Sequence, residues 1–348
     1  MASAGPAVAR GRSPRGPAGG AAGRAGAGAW WSSDRFVERL LGTVASLVLV
    51  LILGMVIFVF AKAWPSFANN GLGWFGTGDV DRQFEDIINP PQGAEGFLYD
   101  ISAFNLLWAT ALSTGAAVII GMGFSLFAAI FIVEFAPPRV NRVLEPVVRL
   151  LAAVPSVVYG LIGILVLVPF VLEHLVTEER KSSVAFVVQL TGTGVLVAVA
   201  ILTVMITPIM IAIMVDALRS VPRSWSEGAS ALGVNRWRVI WSIGVRTARP
   251  AIAAAAVLAT ARALGEAIML AMVAGSKGFA PQPVDGLTFF LEPMQPLAAT
   301  IIKYQEVSNL EPVANTLYAF AAVLLVSGMA LSLAGYAAKQ PMRKYGVR

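Results

Sequence analysis

The stretch SWSEGASALGVNRWRVIWSIGVRTARPAIAAAAVLATARALGEAIML, residues 224–270, decides how this chain reads. Its first half is a charged loop carrying tryptophans; its second half is an apolar run that contains Arg262 and Glu266. Ser224 followed three residues later by Glu227 has the form of a capping box, in which both side chains satisfy free backbone donors at a helix start. Gly233 suits the left-handed residue that ends such a helix. The spacing therefore predicts a two-turn helix over 225–232. Asn235 then caps a second helix, with Trp237, Ile240, Trp241 and Gly244 on one face and Arg236 and Arg238 elsewhere. Two short helices at an elbow fit a groove on a partner protein. An interfacial helix, with Trp and Arg at lipid headgroups, has the same periodicity.

Arg262 and Glu266 stand four residues apart, on one face of a helix and about 6 Å along its axis. An arginine at mid-membrane costs at least about 2.5–3.5 kcal/mol, so it must face a partner or a wet cavity. Two roles are open. The pair is a structural bridge, or Arg262 meets a transiting anion while Glu266 holds the guanidinium and partly screens it. The permanently charged planar fork of arginine matches a tetrahedral oxyanion, and a nearby carboxylate keeps the anion from binding too tightly to leave.

Working outward, the 348 residues are 57% hydrophobic and only 13% charged, with a mean hydropathy of +0.74. A soluble domain carries about 25% charge, so the expected class is an all-α polytopic membrane protein. Six runs are long and apolar enough to span about 30 Å: 40–61, 104–133, 150–172, 190–215, 252–274 and 313–338. The first exceeds the apolar length of a secretory signal and is read as a retained span. Six spans place both termini on one side. Nineteen Lys and Arg fall in the connections on that side and six on the other, which makes the termini and the 216–249 loop cytoplasmic. Cysteine is absent and His174 is the only histidine, so neither a metal site nor a cofactor is expected.

Residues 1–33, rich in Gly, Ala, Pro and Arg, read as a disordered basic cytoplasmic tail, with 34–348 as the membrane domain. Arg10, Arg12, Arg15 and Arg24 either bind anionic lipid or simply fix orientation. The 64–103 connection is external and acidic, which suits contact with a docking protein or a plain solvated link. Pro155 and Ser156, within VPSVVYG at 154–160, interrupt the third apolar run, as broken helices lining substrate paths do; packing kinks look the same in sequence. Thr207-Pro208 poses the same choice. The 281–312 connection holds a short apolar patch, 297–302, that fits a lateral or re-entrant helix.

The order Glu227, Ala229, Gly233, Ile243 resembles the cytoplasmic "EAA" loop of ABC importer permeases, with Gly228 where a second alanine is typical and Val245-Arg246 in place of a terminal Leu-Pro. Together with GLGWF at 71–75, EFAP at 134–137, LAAVPSVVYG at 151–160 and ARALGE at 261–266, the chain is similar to the first permease, PstC type, of phosphate importers. Arg149 stands where that family commonly has a glutamate, and Ala267 where threonine often follows the Gly-Glu pair.

The resemblance implies a type I importer permease fold of six transmembrane helices in a prokaryotic cell membrane. It implies a substrate path through Arg262, Glu266, Pro155 and Ser156, and ATPase coupling through Ser224, Glu227, Ala229, Gly233, Trp237 and Trp241. The implied partners are a second permease of the PstA type, two ATP-binding subunits, an external phosphate-binding protein, phosphate itself and membrane lipid. No phosphate-cradling G-x-x-x-x-G-K-[ST] loop occurs, so ATP hydrolysis is expected on another polypeptide. A permease for sulfate or molybdate and a stand-alone transporter or channel are the alternatives.

Overall fold

The computed structural model describes residues 27–91, 99–184, 189–278, 280–283 and 286–339. The chain divides into two units, Met1–Val56, whose described part belongs to the first helix, and Ile57–Arg348. The helices are α1 (Ala27–Asn70), α2 (Val80–Ile88), α3 (Phe104–Ile130), α4 (Pro138–Ala152), α5 (Ser156–Ile162), α6 (Val168–His174) and α7 (Glu178–Val184). They continue as α8 (Val195–Arg219), α9 (Arg223–Ala231), α10 (Arg236–Val239), α11 (Arg246–Leu264), α12 (Ile268–Val273), α13 (Leu297–Tyr304) and α14 (Glu311–Lys339). Most of the expected tail, 1–26, lies outside the described residues, and 27–33 already belong to α1.

Among the described residues, five stretches are long and apolar enough to cross a membrane: Arg35–Phe75, Phe104–Phe135, Ser156–His174, Val195–Arg219 and Glu311–Ala337. The expected fifth run, 252–274, is instead two helices, α11 and α12, parted at Gly265–Ala267. The third begins at Ser156 rather than at 150, because Pro155 caps α5 and the residues before it form the separate helix α4. Pro138 sits in the first turn of α4, where its missing N–H costs nothing.

Packing follows small side chains. Ser113, Ala117, Gly121 and Ser125 recur every four residues on α3 and are buried, so the backbone of α8 can approach closely. A Cβ on Gly121 would lie 3.3 Å from Thr207 Oγ1, and the Ser125 hydroxyl donates to the Thr207 carbonyl at 3.2 Å. α8 runs through Pro208 without a break. Gly160 and Gly163 bring α5 against α12, where added methyls would meet Met272 at 2.9 Å and Val273 at 2.7 Å.

At the far end of the bundle from α9, the 64–103 connection is not merely a solvated link. α2 buries Val80, Phe84 and Ile87 beside Trp74, Ile101, Leu297 and Phe320, and Phe84 stacks on Tyr304 at 3.8 Å. The 297–302 patch is α13, whose first turn is fully buried and whose Leu297 N–H donates to Thr110 Oγ1 inside α3. An extended strap precedes it: Met294 N–H donates to the Ala274 carbonyl at 2.7 Å, and Val195 N–H to the Glu292 carbonyl at 3.0 Å. Gly275, at φ +100°, lies under this strap, and a Cβ there would fall 2.4 Å from Pro293 Cβ. Gly275→Ala adds backbone strain to a steric clash and should cost roughly 3 kcal/mol or more. The check is thermal unfolding in detergent, with Gly286→Ala, whose site is open, as the milder comparison.

Asp81 ties α2 to α13. It accepts from Lys303 Nζ at 2.6 Å, the Tyr304 hydroxyl at 3.1 Å and the Gly278 N–H at 3.0 Å. Burial alone would push its carboxyl up, but the Lys303 ammonium, the Gly278 amide and the Tyr304 hydroxyl outweigh it and hold the carboxyl below its ordinary value of 3.8. A depressed folded-state value means this stabilisation is complete above 3.8 and is lost as pH falls below it. Asp81→Asn should therefore lower stability by about 1.5–3 kcal/mol at neutral pH. It should also flatten the acid limb of the melting-temperature profile; an unchanged limb would show that Asp81 does not set it.

Candidate functional site

The elbow is built from local rules. α9 starts two residues earlier than the capping box predicts: Pro222, with φ −59°, occupies the cap, and Ser224 lies inside the first turn with no side-chain cap bond to make. The other end matches the prediction. Gly233 has φ +76°, its N–H donates to the Ser230 carbonyl at 3.0 Å, and the Val234 N–H reaches back to the Ala229 carbonyl at 3.2 Å. That is the two-bond Schellman ending. Asn235 caps α10 through Trp237 N–H at 2.9 Å.

From Arg236 the chain stays helical to Leu264, through a wide turn at Ile240–Val245 and past Pro250. The elbow and the Arg262 turn thus belong to one helical run of roughly 40 Å. The tryptophan face of this run partly covers the chain itself: Trp237 packs on Phe135 at 5.8 Å and Trp241 on Phe127 at 6.5 Å. Arg236 lies 4.4 Å over the Phe135 ring and bonds the Glu134 carbonyl. Beneath α9 opens a cavity of about 520 Å³, lined by Glu134, Asn141, Arg219, Arg223, Ser226 and Glu227 among others. Trp225 on α9 and Leu232 at its C-cap remain exposed.

The second centre is the break in the fifth apolar run. Arg262 lies in the last turn of α11, where the free carbonyls favour a cation. Glu266 follows across the break rather than on a continuous helix, yet its Oε1 comes within 3.7 Å of Arg262 Nε. That separation is too long for a hydrogen bond, and Arg262 Nε is buried without an acceptor. The side chains are 33% and 12% exposed. Because α5 packs on α12, Ser156 reaches Glu266, and Tyr159 comes within electrostatic range of Arg262 while its hydroxyl donates to the Leu151 carbonyl at 2.9 Å. Pro155 caps the helix that presents both.

Arg262, Glu266, Pro155 and Ser156 are therefore assembled in one place, and the six elbow residues in another. Nothing in the sequence pattern marks Tyr159 as a neighbour of the charged pair, although it stands three residues after Ser156 in the same motif. Among the described residues, no cluster of three or more His, Asp or Glu could hold a metal ion.

Residues 121–341 match the family model described as the inner membrane component of binding-protein-dependent transport systems. The chain is 33% identical, over 84% of its length and 87% of the relative's, to the probable ABC transporter permease protein YqgH of Bacillus subtilis. It is 31% identical to the phosphate transport system permease protein PstC 2 of Mycobacterium tuberculosis, over 69% of this chain and 72% of that one. Among solved structures, the crystal structure of a bacterial alginate ABC transporter, in complex with an alginate pentasaccharide-bound periplasmic protein, aligns with 90% of this chain and 99% of its own, with a TM-score of 0.55 at 15% identity. That likeness supports the importer-permease fold expected for the helical bundle. The chain belongs to the family of inner membrane components of binding-protein-dependent transport systems.

Proposed function

We propose that the chain is one permease subunit of an ATP-driven phosphate importer in a prokaryotic cell membrane, with both termini cytoplasmic. The observation that carries this reading is Arg262: a guanidinium placed at a helix break, held loosely by Glu266, with Nε lacking an acceptor. A structural bridge would close that gap. A conduction site leaves donors unused until the anion arrives and keeps a carboxylate near to let it go.

A second permease of the PstA type completes the path, two ATP-binding subunits engage the elbow, and an external phosphate-binding protein delivers the anion. Relatives named as phosphate permeases support the substrate, and the surplus of Lys and Arg in one set of connections supports the orientation. ATP closes the ATPase pair, α9 is displaced, and the helical run from α10 to Arg262 carries that movement to the break. Glu227, Ala229 and Gly233 shape α9, Ser224 lies in its first turn, and Trp237 and Trp241 brace the run against Phe135 and Phe127.

Reconstitution tests this reading. Proteoliposomes holding both permeases and the ATPase should take up radiolabelled phosphate only when ATP is inside and the binding protein is outside. Uptake by this chain alone, without ATP, would make it a stand-alone transporter instead.

A further inference from the structure

The loose pair at Arg262 has a counterpart. In the last turn of α4, Arg149 stands 3.8 Å from Asp216 of α8, and both side chains are about two-thirds exposed. The 3.7 Å between Arg262 and Glu266 is nearly the same. Both exceed the roughly 2.7–2.9 Å of a charge-assisted hydrogen bond, so both guanidinium groups keep donors free. The contrast lies one turn away, where Arg219 and Glu145 form a closed hydrogen-bonded pair between the same two helices.

One side chain comes near both regions. Tyr159 reaches the Leu151 carbonyl, two residues beyond Arg149, and lies within electrostatic range of Arg262. Glu145 meets Arg219 while Arg149 meets Asp216, so α4 climbs antiparallel to α8, away from the elbow end and toward the break. Arg142 is two helical turns before Arg149, on the same face of α4 and about 10 Å nearer the elbow. It is exposed as well.

We infer that Arg149 and Asp216 form a second anion station, between Arg262 and the cytoplasm, through which phosphate leaves the pathway. This rests on the reading of Arg262 as a pathway residue. Successive weak sites let an ion move on where one strong site would retain it, and Asp216 screens Arg149 as Glu266 screens Arg262.

The test uses the complete importer in proteoliposomes with radiolabelled phosphate. Arg149→Gln should lower maximal uptake about tenfold, as for the loss of one charge-assisted contact, leave KM unchanged, and be largely rescued by Arg149→Lys. Phosphate retained by the purified, nucleotide-free complex should fall in Arg149→Gln and rise in Asp216→Asn, which removes the screen and keeps the cation. If the pair only braces α4 on α8, both substitutions change retention in the same direction, and the second station is overturned. Should Arg149→Gln assemble poorly, Arg149→Lys and Asp216→Asn decide alone: lowered retention in Asp216→Asn overturns the inference. Wild-type uptake by Arg149→Gln beside a dead Arg262→Gln removes only the second station, whereas normal uptake by Arg262→Gln removes the pathway reading itself.

Discussion

Arg262→Gln should abolish phosphate uptake, lowering its rate at least about 100-fold, while the importer still assembles and the binding protein still binds phosphate. The size follows from position. A hydrogen bond to a charged group contributes roughly 1.5–3 kcal/mol, and losing about 2.7 kcal/mol of guanidinium–anion contact is already 100-fold. Glutamine keeps much of the volume and two donors but not the charge or the fork, and it leaves Glu266, only 12% exposed, without its cation. Arg262→Lys should recover part of the rate, since an ammonium supplies charge without bidentate geometry. If Arg262→Gln transports normally, the pair is a bridge and the pathway lies elsewhere.

Gly233→Val should uncouple the importer. The residue sits at φ +76°, and an added Cβ would meet nothing within 4 Å, so any effect comes from backbone conformation and not from crowding. A β-branched side chain is strongly disfavoured at positive φ. The Schellman ending would open, α9 would lose its fixed angle to α10, and ATP-driven uptake should fall about tenfold or more for a strain of roughly 1–3 kcal/mol. Gly233→Asn, which tolerates the left-handed region, should keep most of the activity. Copurification of the ATPase provides the direct readout: it should drop with valine and persist with asparagine. Equal retention by both variants would remove the elbow from the coupling route.

What the sequence discloses depends on how local its cause is. Gly233 and Asn235 are legible because each ending or cap closes within five residues. Ser224 misleads for an equally local reason: Pro222, two residues upstream, already has a backbone suited to the cap, and the helix starts there. Spans read well from hydropathy because length and apolarity alone set them. The split of 252–274 does not, since it accompanies the packing of α12 on Gly160 of α5 and on Gly163 just beyond it, more than a hundred residues away. α4 is not legible as a helix of its own, because its last residues run into the apolar stretch read as the third span, and Pro138 is harmless in its first turn. The Arg149–Asp216 pair and the Asp81–Lys303 tie join residues far apart in sequence, and no spacing rule connects them.

The 64–103 connection shows the same limit from the other side. Its acidic residues suggest a surface for a docking protein, and some of them remain available for one. Asp81, however, is engaged by Lys303, Tyr304 and Gly278, and Asp79 caps α2 by accepting from Arg82 N–H at 3.2 Å. Counting charges in a loop does not separate those that meet solvent from those that hold the loop in place.

The central claim, that this chain passes phosphate through Arg262 in an ATP-driven importer, is tested most directly by competition. With the reconstituted importer and its binding protein, uptake of radiolabelled phosphate should be blocked by excess arsenate, a tetrahedral anion of the same charge and protonation. An equal excess of sulfate or molybdate should leave it unchanged, and Arg262→Gln should take up none of the four. Sulfate or molybdate displacing phosphate, or Arg262→Gln transporting at the wild-type rate, would contradict it.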